Sequence, residues 1–263
     1  MNTQEERTIV AILPAYNEED NIPALLERWD QQEELLLERG LRLVVLVVND
    51  GSGDGTITLL PEMAKQYGFM RHVSHEGNKG LGQALTTGIH YVLDNEPASV
   101  YMVVMDCDNT HDPRYVIPLV DKMERASQTD VVIASRYQAG SKISGVPFYR
   151  WILSYGARAV YTVLLSVPRV RDYTCGYRIY RTSLLGKAVQ FYGDTLLEEK
   201  GFGCMGELLY KLYLYGATFD EIPFHLRYDD KLGISKMKVM NTTLQSMAMV
   251  FRLRKIRRGI SNV

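Results

Sequence analysis

The chain has 263 residues, of which 46% are apolar and 23% charged, so it can bury a large core and is neither disordered nor fibrous. With 30 basic against 31 acidic side chains, its net charge of −1 gives no global field to attract nucleic acid. Three widely spaced cysteines, Cys107, Cys175 and Cys204, form neither a CxxC pair nor a zinc-ligand set, which excludes a disulfide scaffold and fits a reducing compartment.

Strand and helix signals alternate through the first half. Thr8 to Leu13 is a short β-rich run stopped by Pro14. Ile22 to Leu37 then places Ile22, Leu25, Leu26 and Trp29 at helical spacing, with glutamates facing away. Leu41 to Val48 is almost continuously apolar, as in a strand covered on both faces of a parallel sheet. It ends in Asn49-Asp50-Gly51-Ser52-Gly53-Asp54-Gly55, a run of turn residues. Helices are predicted over Thr56–Tyr67, Gly80–Leu93 and Pro113–Arg125, and strands over Arg71–Ser74, Val100–Met105 and Asp130–Ala134. Phe148 to Leu165 is amphipathic, with Phe148, Trp151, Ile152, Tyr155 and Ala159 on one stripe and Arg150, Ser154 and Arg158 on another. This alternation predicts an α/β fold, a doubly wound and mostly parallel sheet that binds its ligands at the carboxyl ends of the strands. With no internal repeat or flexible linker, one domain is expected over residues 1–263.

Three polar loops fall at such strand ends: Pro14-Ala15-Tyr16-Asn17-Glu18-Glu19, Asn49 to Ser52, and Asp106-Cys107-Asp108. Two carboxylates with one residue between them suit a divalent ion that takes its remaining ligands from a diphosphate. Taken alone, a DxD triplet is more often a turn that closes a strand, and Asn17 is equally a helix cap.

The three loops in this order resemble the family 2 glycosyltransferases with the GT-A fold, and within them the polyprenyl-phosphate sugar transferases. Further segments carry the similarity: Gly77-Asn78-Lys79-Gly80-Leu81-Gly82-Gln83-Ala84, Ala134-Ser135-Arg136-Tyr137, Asp172-Tyr173-Thr174-Cys175-Gly176-Tyr177-Arg178, Gly206-Glu207-Leu208-Leu209 and Gly233-Ile234-Ser235-Lys236. The resemblance implies a nucleotide-sugar half over about residues 8–140, an acceptor half over 141–236 and a basic segment over 237–263. It implies donor contacts from Pro14, Ala15, Tyr16, Glu18, Asp50, Lys79, Asp106, Cys107 and Asp108, with Mg2+ or Mn2+ on Asp106 and Asp108. Arg136, Arg150, Arg178, Ser235 and Lys236 fall on the acceptor side, where guanidinium forks suit a phosphate. The implied reaction is inverting transfer of a hexose, mannose first, from GDP-mannose or a UDP-hexose to a polyprenyl phosphate. Asp108, Arg136, Lys236 and Glu207 are the expected catalytic residues.

A phosphate acceptor is already anionic and needs positioning, not a base. A hydroxyl acceptor is the nearest rival, and it would need a carboxylate such as Glu207. A dinucleotide oxidoreductase is disfavoured, because the first strand runs into Pro14-Ala15-Tyr16 and not a glycine-rich turn. A non-catalytic sugar-nucleotide module is the third alternative. The chain departs from the family at Asp230, where Arg is usual, and at Thr110, where Gln is usual. The N-terminus lacks the apolar core of a signal peptide, so a cytoplasmic protein is expected. Peripheral membrane contact would come through the helix at 148–165 and the basic run Arg252 to Arg258.

Overall fold

The computed structural model describes residues 7–145, 148–227 and 249–253, with residues 148–155 and 157 given by their backbone alone. Ser235, Lys236, Asp230 and the basic residues after Leu253 lie outside the described residues.

The apolar runs form the centre of a sheet. Strands β1 (Arg7–Ala15), β2 (Leu41–Asn49), β3 (Met70–Ser74) and β4 (Ser99–Val104) pair in parallel, in the order β3-β2-β1-β4. Ile9 to Leu13 and Val44 to Val48 are fully buried because helices cover both sheet faces. Helix α1 (Ile22–Leu37) buries Ile22, Leu25, Leu26, Trp29 and Leu36, the face its periodicity predicted. Helices α2 (Thr56–Gln66) and α3 (Leu81–Asn95) follow β2 and β3. On α3, Gly88 brings the helix backbone onto β1 and β2, since a Cβ there would lie 2.5 Å from Ile12 Cγ2.

These elements keep their predicted order, with ends displaced by one or two residues. The helix expected over Pro113–Arg125 is divided. Asp112 accepts from the Arg114 amide at 3.0 Å and caps a 3-10 turn over Pro113–Tyr115, and α4 (Val116–Arg125) begins only after it. Strand β5 (Val131–Ser135) follows.

Beyond residue 141 the chain re-enters the same sheet. After β6 (Lys142–Ser144) and helix α5 (Phe148–Leu165), strand β7 (Arg178–Arg181) inserts antiparallel between β4 and β5. Helices α6 (Thr182–Tyr192) and α7 (Cys204–Leu214) precede β8 (Phe219–Pro223), which pairs parallel to β5. The full order is β3-β2-β1-β4-β7-β5-β8, and β6 pairs separately with β9 (His225–Arg227). The expected stripe on α5 needs correction at Ala159, which is exposed, whereas Tyr161 and Leu165 are buried. Cys107, Cys175 and Cys204 are free and buried, and burial pushes the Cys175 thiol up to about 12.

Candidate active site

The loops after β1, β2 and β4 meet at one edge of the sheet and are fastened to each other by side chain–backbone bonds. The Asn17 amide donates to Ser52 Oγ at 2.9 Å, and the Gly53 amide donates to Asn17 Oδ1 at 2.8 Å. Asn17 takes φ = 55°, a left-handed conformation that asparagine tolerates better than most residues. The Glu18 amide donates to Thr56 Oγ1, and the Glu18 carboxylate accepts from Asn21 Nδ2 at 2.7 Å. Asn109, just beyond the DxD triplet, donates to the Asn21 side chain at 2.9 Å and so ties the third loop to the first. Pro14 is partly buried, Ala15 is buried, and Tyr16 stands out with 39% of its surface exposed.

Asp50 is the buried hub of this edge. Its Oδ1 accepts from the Lys79 amide at 2.9 Å, its Oδ2 accepts from the Gly80 amide at 2.8 Å, and His75 Nδ1 lies 2.7 Å from Oδ1. The other ring nitrogen of His75 is 2.9 Å from Thr87 Oγ1 on α3. Asp50 therefore shapes the 75–80 turn at the start of α3, a position that the sequence had suggested only as pocket lining. His75 was missed altogether, because a single histidine just past a short edge strand has no distinguishing neighbours in sequence.

Asp106 and Asp108 follow β4 with their intervening Cys107 turned into the core. The Asp106 amide donates to His111 Nδ1 at 3.1 Å, and His111 Nε2 is 3.7 Å from Asp106 Oδ2. The Asp106 side chain keeps 39% exposure. Gly176 lies directly against it: a Cβ there would approach Asp106 Oδ1 to 2.7 Å. Asp108 Oδ1 accepts from both the amide and the hydroxyl of Thr110, at 3.2 and 2.6 Å. Thr110, which stands where the family usually has Gln, thus steers Asp108. Among the described residues no three His, Cys, Asp or Glu side chains form a metal cage. The donor set at this edge is two hard carboxylates, which fits Mg2+ or Mn2+ with a diphosphate completing the shell.

On the acceptor side the structure corrects several expectations. Arg136 forms a fork with Asp172: Nε donates to Oδ2 at 2.8 Å and Nη2 to Oδ1 at 2.7 Å, while Nη2 also donates to Thr174 Oγ1 at 2.6 Å. Asp172 is fully buried. Burial by itself would raise its carboxyl, but the guanidinium beside it holds the group down to about 2. The Arg136 charge is therefore balanced within the protein. Arg178 is fully buried, its Nη1 and Nη2 donating to the carbonyls of Met205 and Tyr173 at 2.7 and 2.8 Å, so it packs behind the site and does not line it. Glu207 is also fully buried. Its Oε2 accepts the amides of Glu198 and Glu199, and its Oε1 accepts from Lys211 Nζ and Arg252 Nη2 at 2.9 and 3.0 Å. Four bonds enclose the carboxylate that a hydroxyl acceptor would need as its base. Arg158, on α5, lies 4.7 Å from the centre of the Tyr137 ring. For Arg150 only the backbone of α5 is described.

A twisted, mostly parallel sheet with one inserted antiparallel strand, and an acidic triplet at the end of its fourth strand, is the GT-A fold of glycosyltransferases. A mannosyltransferase from Pyrobaculum calidifontis, solved in complex with GDP-Man and Mn2+, superposes with a TM-score of 0.60 over 95% of this chain and 64% of its own, at 17% identity. The chain belongs to glycosyl transferase family 2, which it matches over residues 10–188, and it is a glycosyltransferase. It is 33% identical to the polyprenol monophosphomannose synthase of Mycolicibacterium smegmatis, over 90% of this chain and 83% of that one. It is 31% identical to the undecaprenyl-phosphate mannosyltransferase of Micrococcus luteus, over 87% of each.

Proposed function

We propose that this glycosyltransferase moves a mannosyl group from GDP-mannose to a polyprenyl phosphate with inversion at the anomeric carbon. A phosphate oxygen of the acceptor forms the new bond to that carbon as the bond to the diphosphate breaks, and the electron pair departs with the nucleotide. One observation carries the choice of acceptor: Glu207, the carboxylate available as a base, is enclosed by Lys211, Arg252 and two backbone amides. A pre-ionised phosphate needs no such base. The names of the two relatives point the same way.

In this reading Pro14, Tyr16 and Glu18 receive the nucleoside, while Asp50 holds Lys79 and the α3 start against the diphosphate. Asp106 and Asp108 would hold Mg2+ or Mn2+, which when bound neutralises charge on the departing diphosphate. Arg150, Ser235 and Lys236 remain the proposed contacts to the acceptor phosphate. Among the described residues no helix is long and apolar enough to cross a membrane. The lipid acceptor would be met at the cytoplasmic surface through α5 and the basic residues after Leu253, whereas Arg252, expected with them, is bonded to Glu199 and Glu207.

The test offers GDP-mannose, UDP-glucose and UDP-GlcNAc in turn, with citronellyl phosphate and citronellol as parallel acceptors. Transfer from GDP-mannose to the phosphate alone is expected. Robust transfer to the alcohol with none to the phosphate would overturn the acceptor assignment. Asp50→Ala should raise the donor KM about tenfold or more with kcat nearly unchanged, since it removes charge-assisted bonds that organise the nucleotide side and not the reacting carbon. A fall in kcat at constant KM would place Asp50 beside the reacting atoms.

A further inference from the structure

The helical segment 249–253 is packed into the body of the protein through Met249, Val250 and Leu253, all buried. From it Arg252 reaches three carboxylates. Its Nη2 donates to Glu207 Oε1 at 3.0 Å and to Glu199 Oε1 at 3.1 Å, and its Nη1 stands 4.0 Å from Glu198 Oε1. Lys211 completes the cluster, with Nζ bonded to Glu198 and Glu207 at 2.8 and 2.9 Å. Glu207 in turn fixes the backbone of the preceding segment by accepting the Glu198 and Glu199 amides at 2.9 and 2.8 Å.

That segment presses on the start of α3. The Gly82 amide donates to the Lys200 carbonyl at 3.1 Å. A Cβ at Gly80 would come within 2.5 Å of the same oxygen, and one at Gly82 would strike the Glu199 carbonyl. Only glycine lets the two backbones approach this closely, and Gly80 also takes φ = 94°. The Lys79 and Gly80 amides are the two that Asp50 holds from the other side. The 79–82 turn is thus gripped between Asp50 and the 199–200 backbone, and the second grip is fastened by Glu207 and Arg252.

We propose that Arg252 is a positioning residue of the donor site, acting through Glu199 and Glu207 to set the 79–82 turn. This rests on the reading above only in assigning that turn to the donor diphosphate. Removing Arg252 leaves Glu207 paired with Lys211, so no buried charge is stranded and the variant should fold. The consequence is that chain contributed after residue 248 governs donor affinity at a distance, without touching the nucleotide.

The decisive measurement is residue-resolved amide exchange on the full chain without ligand, comparing wild type, Arg252→Ala, Arg252→Lys and Arg7→Ala. The last variant removes an unrelated surface pair, Arg7–Glu124. In Arg252→Ala the amides of Lys79, Gly80 and Gly82 should exchange about tenfold faster, together with those of Glu198 and Glu199, while β1 and β2 keep their protection. Arg252→Lys should recover part of the loss and Arg7→Ala should show none of it. Calorimetric titration with GDP and MnCl2 should show a Kd weaker by a similar factor. Unchanged exchange at 79–82, or acceleration spread evenly over the sheet, would overturn the proposal. Absence of GDP binding by the wild type would sink the donor reading instead, with the exchange pattern still deciding the role of Arg252.

Discussion

Asp108→Ala should lower kcat/KM for transfer by about 10³-fold or more, because the divalent ion this carboxylate is proposed to hold would stabilise the leaving-group charge by several kcal/mol and each 1.36 kcal/mol is a factor of ten. The expectation comes from position. Asp108 lies just past the carboxyl end of a buried parallel strand, where α/β sheets gather their ligands. Its Oδ1 is oriented by the amide and hydroxyl of Thr110. The side chain is only partly buried, so the same variant should melt close to wild type, as surface substitutions do. Mn2+ titration followed by electron paramagnetic resonance gives a readout that does not depend on turnover, and the variant should bind the ion more weakly in the presence of GDP. Thr110→Val, which removes the steering hydroxyl but keeps the shape, should show a smaller loss in the same direction. Near-wild-type turnover in Asp108→Ala, or full wild-type activity in EDTA, would remove the metal from the reaction.

The first half of the fold was legible because parallel strands covered on both faces are written as uninterrupted apolar runs. Leu43 to Val48 faces water on neither side, and Ile22, Leu25, Leu26 and Trp29 define one helical face. Strand β7 was not legible. Its four residues, Arg178-Ile179-Tyr180-Arg181, have a cation at each end, and Arg178 is buried only because two backbone carbonyls receive it. Those carbonyls belong to Met205 and Tyr173, and nothing in the local sequence brings Met205 near. The site divides in the same way. Loops that end strands announced Asp50, Asp106 and Asp108, since polar turn residues after a buried run are locally conspicuous. What each side chain does there depends on partners far along the chain. Asp50 meets Lys79 and Gly80, Glu207 meets Arg252, and Arg136 meets Asp172. Each arginine or glutamate was assigned a role as if its charge faced the substrate. In three cases (Arg136, Arg178 and Glu207) the charge is answered inside the protein.

For Arg136 that difference has a large measurable effect. If it only balanced an acceptor phosphate, Arg136→Ala would lose acceptor use and keep its stability. The structure instead predicts a loss of about 3–5 kcal/mol in folding free energy, the usual cost of removing one partner of a buried pair. Asp172 has no exposed surface, and the substitution leaves its carboxylate with backbone amides and no cation. The pH dependence provides an independent check. In the wild type the Asp172 carboxyl sits at about 2 when folded, against about 3.9 in an unfolded chain. The pair's contribution, about 2–3 kcal/mol, is therefore present above roughly pH 4 and is lost as pH falls toward 2. The stability gap between wild type and Arg136→Ala should accordingly narrow as pH is lowered through that window, because protonated Asp172 no longer needs its partner. Replacing both members, as Arg136→Ala with Asp172→Asn, should recover much of the loss at pH 7, since no unpaired charge remains. Urea denaturation of the wild type and the two variants between pH 7 and pH 3 measures all of this without substrate. An Arg136→Ala protein that stays within about 0.5 kcal/mol of wild type at pH 7, the range of an ordinary surface change, and that fails only to use the phosphate acceptor, would return Arg136 to the role of an acceptor cation.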